Sequence, residues 1–338
     1  MNKTLNVLYQ SNNNYAVVTG VSITSLLENN QDLDEINLFI LDDQISPENI
    51  QKLKRLCDSY KRRIIFIDTS GILKRLKDLN VAPFKGTYTT YFKLMAIKNL
   101  CGFTDRILQL DGDTIINGSL KGLCEVDLED SICAATYDCT LNRYKTLIDI
   151  PLKDKYYNCG VLLINTSMWE EEHCEEKIVN HLKNVRNRYY TVDQDIINVL
   201  FRGKIKYLDL KYNYNCGFYI YGIEESLKMY ELTPEYYNTK EEIAKAHQNP
   251  IIYHCMGAMT GRPWEQDSIH PQNALFDRYL SQSPWKDYEK IKVNRKKIFK
   301  IQRKLYQLLP RALYIPIHRY AQTRYLKQMN HLAQSKGK

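Results

Sequence analysis

The run RILQLDGDTIING, residues 106–118, joins a short apolar stretch to a pair of aspartates. Ile107 to Leu110 predicts a buried strand, and Asp111 and Asp113 follow it with only one glycine between them. In an extended backbone, residues i and i+2 point to the same face. The two carboxylates can therefore converge on one hard divalent cation whose other ligands come from a diphosphate. This pattern favours a nucleotide-dependent transferase.

The Asp-x-Asp spacing also has a plainer interpretation. Asp-Gly is a common turn dipeptide, and a turn that follows a strand is usually solvated. The pairs Asp32/Asp34 and Asp193/Asp195 repeat the same spacing elsewhere in the chain. The surrounding sequence must therefore decide between a surface turn and a metal site.

The first hundred residues alternate β-rich runs with helical patterns. In order, the predicted elements are a strand at Leu5 to Tyr9, a helix at about Tyr15 to Glu28, a strand at Ile36 to Leu41, a helix at Pro47 to Tyr60 and a strand at Ile64 to Ile67. Ser46 before Pro47 is a favourable helix start, because serine caps the free N–H groups and proline fits the first turn. Such alternation predicts an α/β fold with a mostly parallel sheet and helices on both faces. Ligands of such sheets bind beyond the carboxyl ends of the strands, where Asp111 and Asp113 lie.

The pattern continues to about residue 285. Further predicted elements are a helix at Tyr91 to Leu100, strands at Ile132 to Tyr137 and Gly160 to Ile164, helices at Met168 to Arg188 and Gln194 to Phe201, and strands at Lys204 to Leu210 and Pro250 to His254. The Tyr-rich segment from Tyr212 to Tyr237 lacks a clear period and predicts a long ordered loop facing a substrate. No repeat or low-complexity linker interrupts residues 1–285, which we therefore expect to form one catalytic domain.

Composition places the chain among ordinary globular proteins. The 338 residues are 44% hydrophobic and 25% charged, which allows a sizeable core. The nine cysteines form no C-x-x-C pair and no cysteine-histidine cluster at zinc spacing, so we expect reduced thiols and a cytoplasmic location. The N-terminus has no long apolar stretch, and no window approaches the roughly 18 apolar residues of a spanning helix.

The net charge of +8 is unevenly distributed. Residues 286–338 contain 15 Lys and Arg against two acidic residues, whereas residues 1–285 contain 32 basic and 37 acidic residues. Ile298, Ile301, Leu305 and Leu308 recur at steps of three and four, which predicts an amphipathic helix from Ile291 to Leu309 that Pro310 ends. A second stretch with Tyr320, Tyr325, Leu326 and Met329 follows Pro316.

The basic tail has two interpretations. Its apolar face either packs on the catalytic domain or binds the anionic inner face of a membrane, where each Lys or Arg contributes about 1 kcal/mol. No nucleic-acid-binding motif accompanies the charge, so nucleic acid is not the expected partner. The tail therefore predicts peripheral attachment to the cytoplasmic side of a membrane.

Two further segments carry candidate site residues. The first predicted strand ends in QSNNNYA, where Asn12 and Asn14 have the amide groups to bind a uracil edge and Tyr15 can stack on the base. The alternative is a polar helix cap. The second segment, PIIYHCMGAMTGRPW at 250–264, offers His254 after an apolar strand and Arg262 as a phosphate-binding guanidinium. It is not a P-loop, since the Lys-Ser/Thr pair is absent, and DGDTIING is not an EF-hand.

Together these segments resemble glycosyltransferase family 8, the retaining GT-A enzymes that include bacterial lipooligosaccharide galactosyl- and glucosyltransferases and glycogenin. The matching segments are, in order, NVLYQSNNNYA, FILDDQIS, TYTTYFKL, RILQLDGDTII, YYNCGVLLINTSMW, TVDQDIIN and HCMGAMTGRPW. The resemblance implies a Rossmann-like GT-A domain, a Mn²⁺-bridged UDP-sugar donor (UDP-galactose or UDP-glucose), and a glycan or glycolipid acceptor. Mg²⁺ is the alternative metal.

The resemblance also implies roles for individual positions. Asp111, Asp113 and His254 match the metal ligands, and mixed carboxylate and imidazole ligation suits Mn²⁺. The remaining matches are Gly257 and Arg262 at the diphosphate, Lys93 at the donor, Asn12, Asn14 and Tyr15 at the uridine, and Asn158, Gly160, Asp193 and Gln194 at the sugar and reaction centre. From the residues alone, the preferred explanation of Asn158 and Gly160 is a turn before a core strand, and that of Asp193 and Gln194 is a helix cap and first turn. Asp138 and the Tyr-rich segment are the expected acceptor side.

Four departures from the family pattern concern the donor. Asn12 stands where Asp is common, Arg262 replaces a more usual Lys, and two extra residues lengthen the loop between His254 and Pro263-Trp264. Lys93 stands where Arg also occurs, which removes a bidentate fork. Retention requires either a carboxylate nucleophile, for which Asp193 is the candidate, or same-face attack by the acceptor. Gln194 is a poor nucleophile, so same-face transfer is the expectation.

Two other functions remain as alternatives. One is a non-catalytic nucleotide- or carbohydrate-binding protein, or a membrane-surface scaffold, with the same fold. The other is a nucleotidyltransferase that makes the sugar nucleotide. QSNNNYA lacks the Gly-rich, basic loop that a triphosphate requires, which argues against the second alternative.

Overall fold

A mixed α/β sheet forms the centre of the molecule. The computed structural model describes residues 3–84, 86–184, 189–257, 260–295 and 297–335. Within these ranges, seven strands form one sheet in the order β3-β2-β1-β4-β7-β6-β8, and three form a smaller sheet in the order β5-β10-β9. The strands are β1 (Thr4–Asn12), β2 (Glu35–Asp43), β3 (Arg63–Asp68), β4 (Arg106–Leu110), β5 (Thr114–Ile116), β6 (Cys133–Ala135), β7 (Val161–Asn165), β8 (Ile205–Tyr207), β9 (Tyr214–Asn215) and β10 (Ile252–His254).

Helices cover both faces of the large sheet and form the C-terminal tail. They are α1 (Ala16–Glu28), α2 (Pro47–Ser59), α3 (Ser70–Asp78), α4 (Thr89–Ala96), α5 (Thr166–Glu171), α6 (Cys174–Asn184), α7 (Val192–Leu200), α8 (Gly217–Tyr221), α9 (Ile223–Tyr230), α10 (Lys240–Gln248), α11 (Asn273–Gln282), α12 (Lys297–Leu308) and α13 (Arg311–Ser335). Among the described residues, no helix is both long enough and apolar enough to cross a membrane.

The sequence pattern explains the first half of the sheet. β3, β2, β1 and β4 run parallel, as the alternation of strands and helices predicts. Successive side chains of β1 point to opposite faces, so Val7 packs with α1 and α2 whereas Leu8 packs with α3 and α4. The Ser46 side chain accepts a hydrogen bond from the Asn49 N–H and starts α2, as expected. The predicted α/β architecture is therefore confirmed.

The reversed strand β7 places a loop beside the end of β4. β7 pairs antiparallel with β4, and β6 pairs antiparallel with β7. Gly160, immediately before β7, accepts a hydrogen bond on its carbonyl from the Asp111 N–H at 2.8 Å. The start of β7 and the end of β4 therefore meet at one edge of the sheet.

Several predicted elements differ from the structure. The helix predicted from Met168 to Arg188 is two helices, α5 and α6, because His173 adopts a left-handed backbone with φ 50°. Its last four residues, 185–188, lie outside the described residues. The prediction of a loop from Tyr212 to Tyr237 is wrong, since this segment contains β9, α8 and α9. Its aromatic residues are core residues: Tyr214 and Phe218 are 0% and 2% exposed.

The tail departs from its predicted form in two ways. α12 begins at Lys297 rather than near Ile291, and α13 begins at Arg311 and continues through Pro316. Tyr314 is buried against Tyr221 and Met229, and Leu326 belongs to the hydrophobic core. The side chain of Met329 lies outside the described residues. Part of the tail therefore packs on the domain, as one of the two sequence interpretations required.

Candidate functional site

Seven of the predicted site residues line a cleft at the carboxyl ends of β1 and β4. Its volume is about 620 Å³. The lining includes Gln10, Asn12, Tyr15, Thr89, Thr90, Lys93, Asp111, Asp113, Asp193, Arg262 and Trp264. Another cleft, of about 650 Å³, lies at the opposite end of the strands beside Thr4, Glu35 and Arg63. The first cleft is the candidate site, because it contains the convergent carboxylates and lies where parallel sheets bind ligands.

The acidic pair occupies the turn between β4 and β5. Gly112 is required there, since a Cβ at this position would lie 2.6 Å from the Thr19 hydroxyl oxygen and 3.2 Å from the Tyr15 ring. Asp111 is fixed by its backbone bond to β7, and Asp113 by the 2.8 Å bond from the Cys255 N–H to its carbonyl. Backbone hydrogen bonds therefore hold the turn that carries both carboxylates.

Strand pairing brings His254 to the acidic pair. β10 pairs antiparallel with β5, so that His254 lies opposite Thr114, the residue after Asp113. One ligand atom from each of Asp111, Asp113 and His254 lies within 4.8 Å of the other two. Residues about 140 positions apart in the chain therefore form one three-residue group.

Hydrogen bonds set the tautomer of His254. The Asn213 Nδ2 donates to the Asn158 Oδ1 at 2.8 Å, which leaves the Asn213 Oδ1 to accept from the His254 Nδ1 at 3.1 Å. The Nε2 then faces the Asp113 Oδ1, 3.4 Å away. Burial alone lowers the pKa of His254, but Asp113 raises it above its usual value, so a bound cation would replace the proton on the Nε2. A metal-binding histidine commonly donates its other ring N–H in this way. The donor set, two carboxylates and one imidazole with a fixed tautomer, fits a divalent cation such as Mn²⁺ or Mg²⁺.

Lys93 lies between two carboxylates. Its Nζ is 3.0 Å from the Asp111 Oδ1 and 2.6 Å from the Asp193 Oδ2, and its side chain is 7% exposed. Burial alone lowers the pKa of a lysine, but the two carboxylates raise the pKa of Lys93 above its usual value. Lys93 therefore stays charged and links Asp111 to Asp193, which lies at the start of α7.

Arg262 reaches the same group from the other side. Its guanidinium donates to the Tyr15 hydroxyl at 2.7 Å and to the Asp113 Oδ2 at 2.9 Å, and it lies 5.3 Å from the Trp264 ring centroid. Burial opposes ionisation of Asp113, yet His254 and Arg262 hold the pKa of its carboxyl below the usual range. A Cβ at Gly257 would lie 2.6 Å from the Arg262 Cγ, so a glycine is needed beside this arginine.

Gln194 and Asn158 belong to a hydrogen-bonded network around Asp138. The two oxygens of Asp138 accept from the Asn158 Nδ2 at 2.8 Å and the Gln194 Nε2 at 3.0 Å. The Gln194 Oε1 accepts from the Cys159 N–H at 3.1 Å. Burial raises the pKa of Asp138. Both ends of the Gln194 amide are therefore engaged, which fixes its orientation.

Gly160 is required by the histidine. A Cβ at this position would lie 2.1 Å from the His254 Cε1. The Asn158 Oδ1 accepts from the Gly160 N–H at 2.9 Å. The predicted turn before a core strand therefore also forms the wall against which the His254 ring packs.

The predicted uridine residues have different environments. The Asn12 Oδ1 caps the following turn by accepting from the Tyr15 N–H at 3.0 Å, which is the arrangement of the capping alternative. Asn14 is exposed and does not line the cleft. The Tyr15 ring contacts Trp264 edge to face, at 5.7 Å between centroids. Of the three, Asn12 and Tyr15 line the cleft.

The sequence analysis missed Asp43 and Asn213. Asp43 lies beside Asn12 in the parallel pairing of β1 and β2, and its Oδ2 accepts from the Thr89 hydroxyl at 2.7 Å. The second Asp of FILDDQIS ends a predicted strand next to QSNNNYA, which was the available signal. Asn213 had no local signal, because its role depends on contacts with distant residues.

Tertiary structure also assembles a cysteine-histidine group that sequence spacing did not indicate. Ligand atoms of Cys216, Cys255 and His270, all buried, lie within 4.8 Å of one another. The His270 Nδ1 accepts from the Gln272 N–H at 3.1 Å, so in the neutral ring the Nε2 carries the proton. The Nε2 then has no lone pair for a metal, and the group is better described as core packing.

A mostly parallel sheet flanked by helices, with an acidic turn at the carboxyl end of one strand, is the GT-A arrangement that the resemblance implied. Residues 6–268 match the sequence profile of glycosyl transferase family 8, and the chain belongs to this family. The resemblance seen in the sequence is therefore confirmed, and the chain is a glycosyltransferase.

Named relatives act on lipopolysaccharide. The lipopolysaccharide 1,2-glucosyltransferase of Escherichia coli K12 is 30% identical over 290 residues, which cover 84% of this chain and 79% of that protein. The lipopolysaccharide 1,3-galactosyltransferase of Salmonella typhimurium LT2 is 28% identical over 289 residues, covering 83% and 79%.

Solved structures share the fold. The galactosyltransferase LgtC, solved with donor and acceptor sugar analogues, has a TM-score of 0.66 and 23% identity, covering 88% of this chain and 99% of LgtC. The bifunctional glycosyltransferase WbbM has a TM-score of 0.68 and 20% identity over 85% of this chain. This chain spans only about half, 51%, of WbbM.

Proposed function

We propose that the chain is a Mn²⁺-dependent hexosyltransferase that moves galactose or glucose from a UDP-sugar to a glycan acceptor of a cell-surface polysaccharide or lipid-linked oligosaccharide. The observation that carries the proposal is the convergence of Asp111, Asp113 and His254 in a cleft flanked by Lys93 and Arg262. Three metal ligands and two cations match the charge of a metal-bound diphosphate. The sugars named for the relatives, glucose and galactose, supply the hexose assignment.

Lys93 and Arg262 are proposed to bind and neutralise the donor diphosphate. A bound Mn²⁺ would supply Lewis-acid stabilisation of the diphosphate charge. In the structure each cation pairs with one of the aspartates, and each side chain is long enough to exchange that partner for a phosphate oxygen. Preorganised cations in a water-excluded cleft stabilise a leaving group that gains negative charge.

The reaction centre favours same-face transfer with retention. Gln194 is held at both ends of its amide by Asp138 and the Cys159 N–H, which suits it for positioning a sugar hydroxyl rather than for attack. Asp193 is paired with Lys93 at 2.6 Å and accepts from the Thr90 hydroxyl at 3.3 Å, which lowers its nucleophilicity. Mass spectrometry after rapid quench should therefore detect no covalent sugar on Asp193. A trapped glycosyl-Asp193 would contradict same-face transfer.

The donor assay separates this function from its alternatives. UDP release is measured over a panel of UDP-sugars, with Mn²⁺ and with a chelator, for the unsubstituted chain and two variants. Asp113→Ala should abolish metal-dependent release while the circular dichroism spectrum is retained. Asp32→Ala is the matched control, because Asp32 and Asp34 repeat the spacing on an exposed surface. UDP binding without turnover over the whole panel, with acceptors supplied, would favour the non-catalytic alternative.

We also propose that the tail attaches the enzyme to an anionic membrane surface. Leu313, Ile317 and Tyr320 recur at helical spacing on α13 and are 57%, 47% and 65% exposed. Exposed basic residues Lys300 and Lys327 accompany them on the tail. An exposed apolar stripe with basic neighbours is the pattern of an interfacial helix.

Vesicle flotation tests the membrane proposal. The full chain should float with vesicles containing anionic lipid and far less with neutral vesicles. Leu313→Asn/Ile317→Asn should reduce flotation, whereas Phe103→Asn, an exposed apolar residue (50%) on the catalytic domain, should not. Equal flotation of the tail variant and the unsubstituted chain would remove the proposal.

A further inference from the structure

The tail also contacts the loop that carries Arg262, through ion pairs and hydrogen bonds of two arginines. We define the donor loop as residues 260–267, which include Arg262 and Trp264. Two arginines of the basic tail, Arg295 and Arg303, bind this loop and are only 12% and 17% exposed. We call these two residues the tail clamp. They are the tail cations that the loop shields from solvent.

Arg303 holds both ends of the donor loop from α12. Its guanidinium donates to the Thr260 carbonyl at 2.9 Å and to the Asp267 carbonyl at 2.9 Å. The Asp267 carboxylate lies 3.3 Å from the same group. A planar guanidinium can bridge acceptors in this way, whereas a lysine ammonium is a point charge that holds such geometry less well. Arg303 therefore fixes the distance between the two ends of the loop.

Arg295 neutralises the acid that lies beside Arg262. Glu265 is 8% exposed, and its Oε2 accepts from the Arg262 N–H at 2.9 Å. Arg295 forms an ion pair with the same carboxylate and a second one with Asp267 at 3.4 Å. Glu265 also helps to raise the pKa of Arg262 by charge attraction, so Arg295 competes with Arg262 for this carboxylate. The clamp therefore leaves the Arg262 guanidinium free to face Asp113 and the cleft.

Backbone pairing joins the same two segments. The Gln266 N–H donates to the Ile291 carbonyl at 3.0 Å, and the Ile291 N–H donates to the Trp264 carbonyl at 3.0 Å. At Gly261, with φ 81°, a Cβ would lie 2.4 Å from the Arg295 guanidinium. The loop and the start of the tail are therefore built around each other.

We propose that Arg295 and Arg303 are positioning residues that hold the donor loop so that Arg262 meets the diphosphate of the donor. The proposal rests on the proposed function for the identity of the ligand, but not for the order of the loop. It gives the tail a second task besides the proposed membrane attachment: Arg295 and α12 hold the site in its binding geometry, whereas the exposed apolar stripe lies on α13.

Hydrogen exchange and UDP binding test the clamp on the full-length chain. Arg303→Ala should raise the exchange rate of the Arg262, Glu265 and Ile269 amides roughly tenfold, which corresponds to about 1.4 kcal/mol, because the loop loses its charge-assisted hydrogen bonds to α12. The same variant should raise the Kd of UDP in the presence of Mn²⁺ by roughly tenfold. Lys304→Ala, which removes the same charge from an exposed position on α12, should change neither quantity.

A second pair of variants distinguishes loss of the clamp contact from general misfolding of the chain. Asp267→Asn weakens the contact from the loop side without altering the tail, and Arg303→Lys keeps the charge but loses the fork. Both should give smaller changes in the same direction, while β1 amides keep their protection. Unchanged exchange in Arg303→Ala, or loosened exchange with unchanged UDP affinity, would overturn the proposal. Absence of UDP binding by the unsubstituted chain would instead contradict the proposed function, and the exchange comparison would still decide whether the clamp orders the loop.

Discussion

At the scale of single residues, the metal group depends on side chains that are not themselves ligands. Asn158 and Asn213 form a relay that ends at the His254 Nδ1 and leaves the Nε2 lone pair for a cation. Gly160 keeps the space in which that ring lies. Such neighbours determine whether a histidine has the correct tautomer and orientation for ligation.

Gly160→Ala tests the space beside His254. The added Cβ would lie 2.1 Å from the His254 Cε1, so the ring must move and lose its bond to Asn213. We expect the affinity for Mn²⁺, measured by electron paramagnetic resonance, to fall roughly 10- to 100-fold. Gly71→Ala is the control, because a Cβ there meets nothing within 4 Å. It should leave Mn²⁺ affinity unchanged, and equal affinities for both variants would contradict the crowding argument.

Asp43→Asn tests base selection at the proposed uridine site. Asp43 lies beside Asn12 in the strand pairing and accepts a hydrogen bond from the Thr89 hydroxyl, and both of these neighbours line the cleft. A carboxylate can accept the N3–H of uracil, whereas the N3 of cytosine has only a lone pair. We therefore expect the preference for UDP over CDP in Mn²⁺-dependent binding to fall roughly tenfold. Asp42→Asn changes the same charge on the neighbouring residue and should keep the preference; equal losses in both variants would contradict a specific contact.

At the scale of elements, the site depends on which strand ends and helix starts meet. The turn after β4, the end of β10 and the start of β7 supply the metal group and its wall, and the start of α7 supplies Asp193 and Gln194. The position of α7 is fixed by Asp195, whose carboxylate accepts from the Tyr144 and Tyr156 hydroxyls at 2.5 Å each. This buried contact anchors the helix that carries the reaction-centre residues.

The anchor of α7 predicts a pH-dependent stability. Burial raises the pKa of Asp195 from 3.8 to about 6. In the unfolded chain Asp195 ionises at lower pH, so between pH 3.8 and about pH 6 the folded state binds more protons than the unfolded state. The free energy of unfolding therefore falls as the pH rises through this range. Two pKa units correspond to about 3 kcal/mol. The stability advantage of the unsubstituted chain over Asp195→Asn in urea unfolding should therefore shrink by about that amount between pH 4 and pH 6.5. A constant difference would contradict the raised pKa.

At the scale of the whole molecule, Trp285 lies at the proposed boundary between the catalytic domain and the tail. Its ring is 5% exposed and packs against Gly20 of α1, where a Cβ would lie 2.2 Å away. Its Nε1 donates to the Asn49 Oδ1 at 2.8 Å. The proposed domain boundary at residue 285 therefore follows a residue that belongs to the core.

Trp285→Ala tests that boundary. Removing a buried aromatic side chain typically lowers the free energy of unfolding by about 3–5 kcal/mol, and we expect this range in urea unfolding. Ile298→Ala, at a tail position that is 63% exposed, should change stability by less than about 0.5 kcal/mol. Similar values for the two variants would show that Trp285 is not part of the domain core.

Local patterns predicted much of the fold because their causes are local. The strand and helix periods of β1, α1, β2 and α2 follow from side-chain spacing, and Ser46 with Pro47 started α2 as expected. The loop prediction for the Tyr-rich segment was wrong. Its aromatic residues are buried among several elements, so they do not follow the period of a single helix or strand face. The break between α5 and α6 depends on the left-handed conformation of His173, for which the sequence carries no signal.

The sequence by itself determined the α/β architecture, the acidic turn after β4, the family and the uneven charge. These properties depend on neighbours within a few residues, or on the order of short segments. Only the tertiary structure decided that His254 meets Asp113, that Asn213 sets its tautomer and that Arg295 and Arg303 bind the donor loop. Such contacts depend on strand register and on the burial of charged groups far apart in the chain. Packing of the whole molecule, rather than any local preference, selects them.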